Sequence, residues 1–162
     1  MRTRTAILAA AAMLAPLLAG CDGAVERRAA PAQPADVTFQ EFGDYEIHYN
    51  AVRTDGLTPE IARSYGIQRS ANRIMLTVTV LHKEADQAPR RPVEAEVSVD
   101  AYNLNGQLKN MQMRRVTEGE AIYYIGEATI AGAEILVFEI SVLPAGSDEP
   151  MRVKFKREFY SN

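Results

Sequence analysis

The sequence predicts an all-β domain of antiparallel strands behind a short N-terminal address segment. Three observations carry that prediction. Several stretches alternate apolar and polar side chains with a period of two, the spacing that lines one face of a strand with apolar groups. Turn signals such as Gly43-Asp44, Asp55-Gly56, Asn105-Gly106, Glu118-Gly119 and Ala131-Gly132 separate those stretches. A helix start shows up only once, at Thr58-Pro59-Glu60, where a hydroxyl N-cap, a proline at N1 and an acid in the first turn coincide.

The domain opens with Val37 to Phe42. Tyr45, Ile47, Tyr49 and Ala51 then alternate with Glu46, His48 and Asn50, which predicts a strand ending at Asp55-Gly56. Ile61 to Tyr65 forms a helix of one or two turns that Gly66 stops. Ile74 to Leu81 is dense in β-formers, with Ile74, Leu76, Val78 and Val80 on one face. Glu84 to Pro92 is a polar loop. Val93, Val97, Val99 and Ala101 alternate with Glu94, Glu96, Ser98 and Asp100 as a half-buried strand. Asn105-Gly106 predicts a hairpin, because both residues tolerate positive φ, with a return strand over Gln107 to Val116.

Ala121 to Ile130 and Ile135 to Leu143 follow, the second placing Leu136, Phe138, Ile140 and Val142 inward. The last strand, Met151 to Tyr160, puts Met151, Val153, Phe155 and Phe159 inside and Arg152, Lys154 and Lys156 outside. Seven or eight short strands with one short helix predict an antiparallel, immunoglobulin-like β-sandwich, with a closed barrel as the alternative.

The first 36 residues read differently. Met1 to Arg4 carries two cations, and Ala6 to Ala19 is uncharged, apolar and too short for a comfortable transmembrane helix. Leu18-Ala19-Gly20-Cys21 resembles the lipobox of bacterial lipoproteins. The resemblance implies cleavage before Cys21, a diacylglycerol on its thiol and acylation of the new amino terminus. Residues 1–20 are thus read as the signal peptide. Residues 21–36 are the lipidated cysteine and an Ala/Pro-rich tether too poor in bulky apolar groups to fold, and residues 37–162 are the domain. Fully extended, the tether reaches roughly 50 Å. Asp22 follows the lipidated residue; in enteric bacteria an aspartate there retains lipoproteins at the inner membrane, so that membrane is favoured over the outer one.

Cys21 is the only cysteine, so the domain's stability rests on its core with no disulfide. Cleavage removes Arg2 and Arg4, leaving the mature chain more acidic than the full chain's net charge of −3. That balance argues against nucleic acid as a partner and against electrostatic docking on anionic lipid, so acyl chains must supply the anchoring.

Two blocks, Phe42 to Ala51 (FGDYEIHYNA) and Pro59 to Ser70 (PEIARSYGIQRS), resemble a family of short exported gammaproteobacterial proteins, domain-of-unknown-function family 4426. The resemblance runs from Val37 to the C-terminus. It implies an exported β domain and carries no activity, cofactor or catalytic residue.

Catalysis by a serine nucleophile needs a base beside it. Only His48 and His82 could serve, Gly-x-Ser-x-Gly is absent, and Cys21 is consumed by lipid. Glu94, Glu96 and Asp100 read as a solvated outer face rather than as an acid–base pair. The chain is therefore expected to be no enzyme and to need no cofactor. Met111 and Met113 on one strand face, with the two histidines, are a copper- or zinc-binding alternative, although thioethers at period two more often fill a core and no ligand spacing is present. Tyr45, His48, Tyr49, Asn50, Arg69, Ser70, Asn72 and Arg73 combine the aromatic, amide and guanidinium groups enriched at recognition surfaces. The competing assignment makes the tyrosines core and the arginines loop ties. The expected role is a lipid-anchored, non-catalytic module that binds an envelope protein, with a small-ligand or metal-binding module as the alternative.

Overall fold

The computed structural model describes residues 38–85 and 88–160; the segments read as signal peptide and tether, with Cys21, lie outside them. The described strands form two antiparallel sheets. One sheet has the order β1 (Phe39–Phe42), β2 (Tyr45–Arg53), β3 (Arg73–His82), β8 (Ala121–Thr129), β7 (Arg114–Glu118), with β4 (Arg91–Pro92) on the far end of β3. The other has the order β10 (Met151–Tyr160), β9 (Ala133–Pro144), β5 (Ala95–Asn103), β6 (Leu108–Lys109). Both sheets are open-ended, so the molecule is a β-sandwich and not a closed barrel.

The core lies where period two puts it. Ile74, Leu76, Val78 and Val80 of β3 are buried in one cluster with Leu136, Phe138, Ile140 and Val142 of β9. Full burial of each such side chain is worth about 1.5–3 kcal/mol. Phe138 stacks on Phe155 of β10 with ring centroids 4.7 Å apart. The other face of β3 is covered too: Met75 packs with Ile67 and Ile125 in a second buried cluster. Helix α1 (Pro59–Ser64) begins as its sequence dictates, with Thr58 Oγ1 accepting the Ile61 N–H at 3.3 Å and Pro59 in the first turn. Among the described residues no helix is long and apolar enough to cross a membrane.

Three boundaries differ from the sequence reading. The return strand expected over Gln107 to Val116 is divided between the sheets. Leu108 and Lys109 pair with Tyr102 and Ala101, whereas Arg114 to Glu118 pairs with β8 in the opposite sheet. Long-range bonds hold that crossing: Arg114 donates to the Tyr65 carbonyl and Arg115 pairs with Glu94. The strand read as Val93 to Ala101 begins at Ala95, because the Val93 N–H is held by the Val80 carbonyl at 3.0 Å before the chain changes sheets. Pro92, read as loop, belongs to β4 opposite Leu81.

At one end of the core, Lys109 and Glu134 form an ion pair with N···O 2.7 Å, each side chain only 10–11% exposed. Glu134 also accepts from Asn103 Nδ2 at 2.8 Å and from the Ala131 N–H at 3.3 Å. Asn103 Oδ1 in turn accepts the N–H groups of Asn105 and Gln107, which closes the hairpin over Gly106 at φ +77.

Candidate functional site

The eight residues grouped by sequence as a recognition surface are not all on one face. Period two along β2 turns Tyr45 and Tyr49 toward the opposite sheet and His48 and Asn50 outward. Tyr49 is buried and stacks on Phe155 at 4.6 Å, and burial pushes its hydroxyl pKa up. Tyr45 packs against the core and tilts against the His82 ring at 4.5 Å. His48 stacks on Phe39 at 5.5 Å and bonds to Glu46. Asn50 accepts from Arg157 Nη1 at 2.9 Å.

Three of the other four residues tie down the segment between α1 and β3. Arg69 donates to the Asp55 carbonyl at 2.8 Å, and Ser70 N–H donates to Thr54 Oγ1 at 2.9 Å. The Asn72 N–H donates to Ser70 Oγ at 3.1 Å, and the Asn72 carbonyl takes the Ile130 N–H. Arg73 pairs with Glu127 across the sheet at 3.4 Å. Of the eight, Arg69, Ser70 and Asn72 are therefore loop ties, Arg73 opens β3 and pairs across the sheet, Tyr45 and Tyr49 line the core side, and His48 and Asn50 share an outer face.

The candidate metal ligands are also separated. His48 lies opposite Thr79 and His82 opposite Tyr45, positions of opposite parity on the β2–β3 ladder, so the two rings occupy opposite faces of the sheet. Met111 and Met113 sit on the crossing between β6 and β7 rather than on a strand. Their side chains fill the space over Gly126, where an added Cβ would lie 2.5 Å from Met113 Sδ and 2.7 Å from Met111 Cγ. Among the described residues no three His, Cys, Asp or Glu side chains are grouped to hold a metal. Glu94, Glu96 and Asp100 are exposed on β5 and its lead-in, as an outer charged face requires.

An open cleft that was not read from the sequence lies beside β2. β1 pairs with Tyr45 to His48, and the Thr38 carbonyl takes the Tyr49 N–H at 2.8 Å. Beyond that point no described strand covers the remaining edge of β2. The C-terminal part of β10 faces this edge across an open cleft of about 630 Å³, lined by Ala51, Arg53, Leu57, Arg157 and Phe159 among others. Arg157 Nη1 reaches across to the Ala51 carbonyl at 2.8 Å, and Arg53 donates to the Tyr160 carbonyl while forking onto Asp55 at 3.0 Å. The cleft thus offers backbone groups of a strand edge, the half-buried Leu57 side chain and guanidinium groups, while Phe159 belongs to the buried core. That combination suits an extended peptide better than an enclosed small molecule. The only sequence signal for it is the shorter run of β-formers before Gly43-Asp44 than after.

A family model described as a domain of unknown function, DUF4426, matches residues 39–162. A crystal structure of a DUF4426 family protein from Pseudomonas aeruginosa is 32% identical, with a TM-score of 0.64, covering 76% of this chain and 94% of that one. Two structures of FetP from uropathogenic Escherichia coli, one a copper-bound variant, share the fold at TM-score 0.54. They are 10% and 9% identical and cover 76% of this chain and 95% and 93% of theirs. Comparison with curated proteins gives no match.

Proposed function

The chain belongs to the DUF4426 family of domains of unknown function, and from that premise we propose that it is a lipid-anchored, non-catalytic binding module on the periplasmic side of the cell envelope. Its partner is another envelope protein, which lays an extended segment along the open edge of β2. The observation that carries this reading is the cleft between β2 and β10, where a strand edge meets apolar and guanidinium side chains. The lipobox ending at Cys21 supports the anchor. Support for a non-catalytic role comes from the two histidines lying on opposite faces of the sheet, with no Gly-x-Ser-x-Gly in the sequence. The test is a photo-activated cross-linking residue at Leu57, in the cleft, compared with one at Glu96 in intact cells. A discrete adduct from Leu57 alone is expected. Equal labelling from both positions would remove the cleft from the proposal.

A second reading, a copper-binding module, draws on the copper-bound FetP variant with which the chain shares its fold. Thermal unfolding of the domain with Cu(I) and Zn²⁺ separates the two. A ligand at 100 times its dissociation constant adds about 2.7 kcal/mol, a visible shift. A Cu(I) shift lost in M111L/M113L would favour the second reading over the first.

A further inference from the structure

The outer face of the four-stranded sheet carries a hollow of about 250 Å³ over β5, β9 and β10. The ladder explains its shape. Ser98, Ser141 and Arg152 stand in one row across the three strands, and Asp100, Glu139 and Lys154 stand in the next row on the same face. Two short serines on neighbouring strands leave a depression, and the longer side chains rim it with both signs of charge.

The rim is only half neutralised. Lys154 Nζ donates to Glu139 Oε1 at 2.7 Å and lies over the Tyr102 ring, and the Tyr102 hydroxyl donates to the same oxygen at 2.6 Å. Those bonds hold the Glu139 pKa below the ordinary carboxylate value, so the group is ionised at neutral pH. The side chains of Ser98, Asp100, Ser141 and Arg152 make no hydrogen bond among the described residues. Most described arginines, by contrast, bond to a carboxylate or a carbonyl of the chain.

From this arrangement we propose that the hollow binds a free α-amino acid. The Arg152 fork takes its carboxylate, as guanidinium geometry favours. The Ser98 and Ser141 hydroxyls on the floor donate to the same group, and the Asp100 carboxylate accepts from the ammonium. One unbonded guanidinium and one unbonded carboxylate match a zwitterion. A simple anion would meet Asp100 and Glu139 with like charge, and a simple cation would meet Arg152. The site lies on an outer sheet face and depends neither on the β2–β10 cleft nor on lipid at Cys21.

The full-length chain in detergent is unfolded thermally with and without an equimolar mixture of the common L-amino acids and D-alanine. Each component that raises the midpoint is then titrated alone, beside its N-acetyl and amide derivatives. A raised midpoint is expected, because a ligand held by the folded state alone stabilises it. Each derivative lacks one charge and should bind at least about tenfold more weakly, the usual loss for a hydrogen bond to a charged group. Arg152→Gln should erase the penalty for the amide, and Asp100→Asn the penalty for the N-acetyl form, since each variant has already lost that partner. Ser141→Val fills the hollow and should abolish binding while circular dichroism shows the fold intact. An unmoved midpoint overturns the proposal, as does binding that survives all three substitutions. Phosphoethanolamine, also a zwitterion, is titrated in parallel, and a response to it alone would overturn the amino acid as ligand.

Discussion

Thr54 is fully buried, yet its hydroxyl is the hub of the segment between β2 and β3. It accepts the Ser70 N–H at 2.9 Å and lies 2.9 Å from the Gln68 carbonyl and 3.2 Å from that of Ser70. Valine has the same shape and none of these bonds, so Thr54→Val leaves a part-buried N–H and carbonyl without their partner. The expected cost is about 1–3 kcal/mol in urea unfolding, with Thr54→Ser recovering most of it. Arg69 and Ser70 depend on the same hub, so the substitution should also loosen the loop they hold. A threonine beside a turn signal looks like any solvated turn residue in a sequence. Its role came from a partner sixteen residues away.

At the scale of the element, the crossing from β6 to β7 shows how one glycine sets the path of a segment. Gly126 faces the core, and Met111 and Met113 occupy the volume a side chain would take. Gly126→Ala forces both thioethers aside and should destabilise the domain by about 1–3 kcal/mol, the usual cost of overpacking. Combining it with Met113→Ala should recover part of that loss, since the two changes share one cavity. Calorimetric unfolding of the two single variants and the double variant measures the coupling. The period-two spacing of the methionines put them on one face and left core filling and metal binding as alternatives. It could not reveal that the chain had already left its strand, because alternation fixes the face of a residue and is silent about its hydrogen-bond partner.

For the molecule as a whole, the Lys109–Glu134–Asn103 cluster ties β5, β6 and β9 to the turn by which the chain passes from one sheet to the other. Burial pushes the Glu134 carboxyl up, but bonds from Lys109, Asn103 and the Ala131 N–H, with the Lys109 charge, outweigh it and leave its pKa below the ordinary value of 4.5. A lowered folded-state pKa means the stabilisation is complete above the ordinary glutamate range and is lost as pH falls through the lowered value. Glu134→Gln should therefore be less stable than the native chain at neutral pH and show a flatter acid limb. Urea midpoints followed from neutral to acid pH check both; parallel curves for the two chains would contradict the assignment.

The sequence by itself determined the all-β class, the inward faces of β3, β9 and β10 and the capped helix at Thr58, because each follows from local spacing or from a short run of side-chain types. Only the tertiary structure decided which sheet each strand joins, that eight recognition candidates divide among core, loop and outer face, and that β2 runs past β1 to leave a cleft. Those outcomes depend on hydrogen-bond partners far apart in the chain and on strand ends that fail to coincide, and a period of two contains neither.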